Sequence, residues 1–141
     1  MIIKTASWFT KLPADHQQVG ISRGVPRGTP GGYKRFRLLE PGPWFKTSTP
    51  DEYLRSYGQI LAALDPAKVA GELVALSAGK IPTLLCFENA SGIAEGKCWC
   101  HRSIVAQWFE DRLGVEVLEV GHENLDRWAL LRAAGVTPPT Y

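Results

Sequence analysis

The spacing of apolar and polar positions changes along this chain, and each change marks an element. Ile2–Phe9 opens on Ile2-Ile3 and closes on Trp8-Phe9, as a short strand does, and Val19-Gly20-Ile21-Ser22 is a second short apolar run. Residues 20–32 then hold five Gly and two Pro, which no regular element tolerates, so a long loop is expected there. Loops of that length in compact domains are commonly functional. Over Tyr33–Leu39, Tyr33, Phe36 and Leu38 interleave with Lys34, Arg35 and Arg37; a strand is expected, broken by Glu40-Pro41-Gly42-Pro43.

Helical spacing follows. Thr49-Pro50-Asp51-Glu52 reads as a helix start, with Thr49 as N-cap, Pro50 at the first helical position and Glu52 at the third. Tyr53, Leu54, Tyr57, Ile60, Leu61 and Leu64 then recur on one face. Asp65-Pro66 repeats the signal for a second helix with Val69, Leu73, Val74 and Leu76, stopped by Gly79. Thr83–Phe87 is a continuous apolar run, the mark of a strand covered on both faces. A loop over Glu88–Cys100 leads into a helix over Arg102–Leu113 that Gly114 ends, a strand over Val115–Val120, a last helix over Glu123–Ala134 and a short tail. Strand, loop, helix and strand in that order make a βαβ unit, so the spacing predicts a single α/β domain over residues 1–141: three layers, with a mostly parallel sheet flanked by helices.

Composition narrows the class without naming a reaction. With 141 residues, 45% apolar and 21% charged, the chain has the make-up of one globular domain, which excludes disordered, collagen-like and coiled-coil chains. A net charge of +2 argues neither for nor against nucleic acid. Three Cys are too few for a disulfide scaffold. No secretory leader pattern opens the chain, and no apolar run approaches the roughly 20 residues that cross a bilayer, so a cytoplasmic protein with reduced thiols and no membrane partner is expected.

Chemistry concentrates at two strand ends. In an open parallel sheet, ligands sit beyond the carboxyl ends of the strands. The strand at 83–87 ends at Glu88, and Cys98-Trp99-Cys100-His101-Arg102 falls where the next helix begins. A helix N-terminus offers free N–H groups and partial positive charge, so with His101 and Arg102 it reads as a phosphate or carboxylate cradle, and it should favour the thiolate of Cys100. Against this, an Arg at a helix start is commonly just solvated and a lone His is commonly structural. The strand ending at Ser22 adds Arg23 and Arg27. If the two strands are parallel neighbours, those arginines approach Glu88 and Cys100–Arg102. Cys98, Cys100 and His101 with Cys86 or His122 give enough soft ligands for zinc, but Cys-x-Cys-His is tighter than the usual Cys-x₂-Cys and no second pair exists, so no metal is assigned. Neither a Gly-x-Gly-x-x-Gly nor a P-loop signature follows a strand, so no cofactor is expected.

At these residues the chain resembles the family called domain of unknown function 488. The likeness lies in Leu84-Leu85-Cys86-Phe87-Glu88, in Cys100-His101-Arg102-Ser103 with Val105-Ala106 and Gly114-Val115-Glu116-Val117, and in Ile21-Ser22-Arg23-Gly24-Val25-Pro26-Arg27. It spans roughly residues 2–121, and the opening is similar to the shorter, phage-like branch. Ser22 stands where many members carry Asp; Cys98 and the helix after residue 122 lie outside the pattern. The resemblance implies a three-layer α/β domain with a polar pocket of Arg23, Arg27, Glu88, Cys100, His101 and Arg102, and no established reaction.

Two readings of function follow. The first is a hydrolase or transferase type of protein for a small phosphorylated or nucleotide-like ligand: Arg23, Arg27 and Arg102 clamp the anion, Glu88 or His101 moves protons, and Cys100 is a nucleophile or a packed thiol. The second is a nucleic-acid-binding module using the basic and aromatic segment 23–45, with Lys34, Arg35 and Arg37 for phosphates and Tyr33, Phe36, Trp44 and Phe45 for bases.

Overall fold

All five strands run in one direction. In the computed structural model, which describes residues 1–141, β1 (Lys4–Ser7), β2 (His16–Gly20), β3 (Lys34–Arg35), β4 (Ile81–Cys86) and β5 (Leu118–Glu119) form one parallel sheet in the order β3-β2-β4-β1-β5. The most apolar strand takes the centre. β4 has neighbours on both edges and layers on both faces, and Leu84 and Leu85, which point opposite ways, are both 0% exposed. Burying each such side chain contributes about 1.5–3 kcal/mol.

Five helices follow from their caps and faces: α1 (Pro50–Ala62), α2 (Pro66–Leu76), α3 (Ala90–Ala94), α4 (His101–Leu113) and α5 (Ala129–Ala133). Thr49 and Glu52 form the expected capping box on α1, with Glu52 N–H donating to Thr49 Oγ1 at 3.2 Å and Thr49 N–H to Glu52 Oε1 at 3.0 Å. Asp65 caps α2 through the N–H groups of Ala67 and Lys68. α4 ends where Gly114 takes a left-handed conformation at φ 67°.

The two faces of the sheet are covered differently. Every helix contributes to the larger core, which gathers Tyr57, Leu73, Ile93, Phe109 and Leu131 onto Val19, Ile21, Leu84 and Cys86. The opposite face carries Ala6, Trp8 and Leu85, packed against Leu12, Val25, Tyr33 and Val120, none of them helical. Loops therefore close that side and make the third layer. Gly20 permits the closure: a Cβ there would stand 2.4 Å from the Trp8 ring, whose Nε1–H donates to Ser22 Oγ at 2.9 Å.

Four expected elements differ. The strand over Tyr33–Leu39 is only Lys34–Arg35, followed by a 3₁₀ turn at Arg37–Leu39; Phe36 and Leu39 both turn into the core at a spacing that suits a tight helix rather than a strand. The loop Glu88–Cys100 contains α3, capped by Asn89, whose side chain accepts from Gly92 N–H at 2.6 Å. The strand Val115–Val120 shrinks to Leu118–Glu119 because side chains occupy the backbone groups of Val117: Glu110 Oε2 accepts its N–H, and Arg127 Nη2 donates to its carbonyl. The helix Glu123–Ala134 is only Ala129–Ala133, since turns run through residues 121–128 and Asp126 accepts from Trp128 N–H at 3.2 Å, giving the backbone an alternative to the helix. No helix is long and apolar enough to cross a membrane.

Candidate functional site

Because β2 and β4 are parallel neighbours, with Gly20 opposite Leu85, their chains leave the sheet side by side. Ser22-Arg23-Gly24 departs from one, Phe87-Glu88 from the other, and the first residues of α4 sit between them. A cavity of about 670 Å³ opens there, at the carboxyl ends of the strands, where an open parallel sheet places its ligands. Cys86, Cys100 and His101 form one part of its wall, Arg23 and Lys46 supply cations, and Glu88 supplies a half-buried carboxylate. Flat aromatic surface comes from Phe45, Tyr53 and Trp99, and Tyr53 meets Trp99 edge-on at 4.5 Å.

His101 is held tightly. A carbonyl only accepts, so the 2.8 Å contact between Nε2 and Ile21 O assigns the ring proton to Nε2 and leaves the lone pair on Nδ1. Tyr57 packs edge-on against the ring at 5.4 Å, and Cys86 Sγ lies 3.6 Å from Nδ1 and 3.8 Å from Nε2. Tyr57 is in turn fixed by its hydroxyl donating to Leu39 O at 2.6 Å.

The thiolate expected at Cys100 is not what the fold provides. Burial pushes the Cys100 thiol well up, and the neighbouring Cys86 adds to this; Arg102 and His101 pull it down by less. The helix N-terminus and adjacent charges are outweighed because Cys100 is only 2% exposed.

The arginines divide. Arg23 stands on the cavity wall, its Nη1 donating to Pro41 O at 3.1 Å. Arg27 is exposed and lies outside the lining, since the loop carries it past the cavity. Arg102 is 0% exposed and also outside the lining: its Nε and Nη2 donate to the two carboxylate oxygens of Glu119 at 3.0 and 2.8 Å, while Nη1 has no partner. Thr5 Oγ1 donates to the same carboxylate at 2.8 Å, tying the pair to β1. Burial opposes the charge on Arg102, and the bidentate Glu119 carboxylate outweighs it and holds the guanidinium cationic.

The chain matches no protein-family model, no curated protein and no solved structure. Its own geometry carries the argument. The structure brings Arg23, Glu88, Cys100 and His101 to one cavity and adds Lys46, Tyr53 and Trp99. Lys46 sits over the Phe45 ring at 5.6 Å, a pairing that Phe45-Lys46 offers by adjacency alone. Tyr53 belongs to the apolar face of α1, where helical spacing reads as core; nothing in its spacing marks a wall residue. In the basic and aromatic segment, Tyr33 packs edge-on against Trp8 at 5.5 Å, Phe36 is buried, and Arg35 is engaged by Glu40 at 3.0 Å.

Proposed function

We propose that this cavity binds a small phosphorylated or nucleotide-like ligand and acts on it as a hydrolase or transferase does. One observation carries the reading: two cations, Arg23 and Lys46, share a single aromatic-walled cavity with a carboxylate and a histidine at the carboxyl ends of neighbouring parallel strands. Arg23 forks onto phosphate oxygens and Lys46 adds a point charge. Phe45 and Trp99 offer flat surfaces to a base or other planar group. Glu88 accepts the proton of an attacking water or hydroxyl, or His101 does so at Nδ1, its other nitrogen being committed to Ile21 O. Cys100 is held as a neutral thiol and becomes a nucleophile only when His101 takes its proton. On this reading Arg102 positions α4 against β5 and does not touch the ligand. The Cys100-His101-Arg102 block and the Leu84-Leu85-Cys86-Phe87-Glu88 strand support placing the chain with the domain of unknown function 488 family, in its shorter, phage-like branch. Three Cys, too few for a disulfide scaffold, support a reducing, cytoplasmic setting.

The test is a thermal-shift screen of nucleotides, sugar phosphates and short oligonucleotides, run with chelator present. A ligand at about 100 times its Kd adds roughly 2.7 kcal/mol, a rise of several degrees for a domain of this size. That rise is expected for a nucleotide or sugar phosphate and should vanish in Arg23→Ala and Lys46→Ala proteins. A response to oligonucleotides alone would shift the reading to a nucleic-acid module, and silence from every compound would overturn both.

A further inference from the structure

We propose that Cys86, Cys100 and His101 form a binding site for one soft divalent metal ion of the zinc class, with its remaining coordination position facing the cavity. The inference stands on the ligand set and does not require the organic ligand proposed above. Cys86 ends β4, Cys100 caps α4, and His101 is the first residue of α4; the fold brings one strand end and one helix start together, and their sulfur and nitrogen atoms all lie within 4.8 Å of one another. Sequence spacing pointed to Cys98 and Cys100 as the close pair, too tight for zinc. The fold leaves Cys98 out and brings Cys86, one of the two further ligands considered, to Cys100 and His101, so the tight Cys-x-Cys pair is not needed.

One ligand pair already stands at the spacing the ion needs. With metal–sulfur bonds of about 2.3 Å and metal–nitrogen bonds of about 2.0–2.1 Å at tetrahedral angles, a sulfur and a nitrogen ligand stand about 3.6 Å apart and two sulfurs about 3.8 Å apart. Cys86 Sγ is 3.6 Å from His101 Nδ1. The sulfur is 3.8 Å from Nε2, so it lies against the ring rather than in line with a lone pair; metal entry requires the imidazole to tilt so that Nδ1 faces the ion while Nε2 stays within reach of the Ile21 carbonyl. The outer partners are already those of a metal histidine. Nε2–H donates to the Ile21 carbonyl, which leaves Nδ1 free to ligate.

Charge balance agrees. Two thiolates neutralise a divalent ion, and the buried Arg102–Glu119 pair beside them is neutral in itself, so the loaded site brings no net charge into the core. Arg102 keeps Nη1 unpartnered in that core. All three ligands also line the cavity, so the open position meets the space where a water or ligand oxygen enters.

Titrating the full, reduced chain with Co²⁺ tests the site without any organic ligand. The expected result is one equivalent bound, a thiolate-to-cobalt charge-transfer band, the strong visible bands of tetrahedral cobalt, and displacement of cobalt by one equivalent of Zn²⁺. Cys98→Ser should leave the titration unchanged. Cys86→Ser and Cys100→Ser should each weaken binding by more than the roughly 10–100-fold that loss of an outer partner costs. Wild-type protein without a charge-transfer band overturns the proposal however the variants fold, and so does a Cys98→Ser protein that loses the band. If cobalt fails while the nucleotide shift persists in chelator, only the metal site falls. If cobalt binds while every ligand is silent, the metal site stands without the ligand reading.

Discussion

At the scale of single residues, the Arg102–Glu119 pair is the most consequential contact outside the cavity. Both side chains are buried, at 0% and 5% exposure, and their bonds are bidentate. Removing one partner strands the other charge in the core, which costs about 3–5 kcal/mol, whereas replacing both by apolar groups is often near neutral. Glu119→Gln should therefore lower unfolding free energy by about 3–5 kcal/mol in urea melts. An Arg102→Leu/Glu119→Leu protein should recover most of that loss. A Glu119→Gln protein as stable as wild type would show that the pair holds little. Arg102 was conspicuous in the sequence, but its role was not. An arginine opening a helix reads as a ligand clamp or a solvated cation, and only the position of Glu119 in β5, the neighbour of β1, reveals that its fork is taken. Glu88 and His101 were legible because a charged or titratable residue right after an apolar strand, or at the start of the next helix, falls at the sheet's carboxyl edge whatever the loops do.

At the scale of elements, caps were legible and side-chain interference with the ladder was not. Thr49, Pro50 and Glu52 act over a few adjacent residues, so their pattern fixed the start of α1. The shortening of β5 depends on Glu110 and Arg127, distant in sequence, seizing the backbone of Val117. Thr49→Ala should cost about 1 kcal/mol of stability, measured by thermal or urea unfolding. The same cap has a pH signature. The backbone N–H of Thr49 holds the Glu52 carboxyl below its usual range. A depressed folded-state value means that the contribution is present above the ordinary carboxylate value and is lost as pH falls through the lowered one. Glu52→Gln should flatten this part of the acid limb, seen as a smaller change in helix signal on acidification.

For the whole molecule, alkaline titration reports how the core and the tail are held. Burial pushes the hydroxyls of Tyr53 and Tyr57 far up, with neighbouring Cys, Tyr and acidic groups adding to it, so both should stay protonated until the chain unfolds. Tyr141 differs: burial, and then Asp111, push it up to about 12. Its raised value means the tail's contribution is whole below about pH 10 and fades as pH rises towards about 12, when Tyr141 ionises against Asp111 Oδ2, which accepts its backbone N–H at 2.7 Å. Ultraviolet phenolate absorbance should show a step near pH 12 that disappears in Tyr141→Phe, and a later rise that coincides with loss of helix signal. Absorbance from Tyr53 or Tyr57 while the helices remain intact would contradict this packing. The parallel α/β class was legible because strand and helix periods alternate and parallel strands require crossovers. The loop layer over one face was not, since Trp8, Leu12, Val25 and Tyr33 have no periodicity and are gathered only by the fold.

The sheet's margins carry a last consequence. Its outermost strands, Lys34–Arg35 and Leu118–Glu119, are two residues each, one wholly basic and the other bearing a carboxylate. Long, flat, apolar edges are what recruit further chains into fibrils, and short charged ones do not. A neighbouring molecule meets two-residue, charged strands at both margins, a poor template for cross-β growth while the fold is intact. The most apolar strand, Ile81–Cys86, is kept sealed at the centre until the molecule opens, and Pro82 within it disfavours cross-β stacking even then.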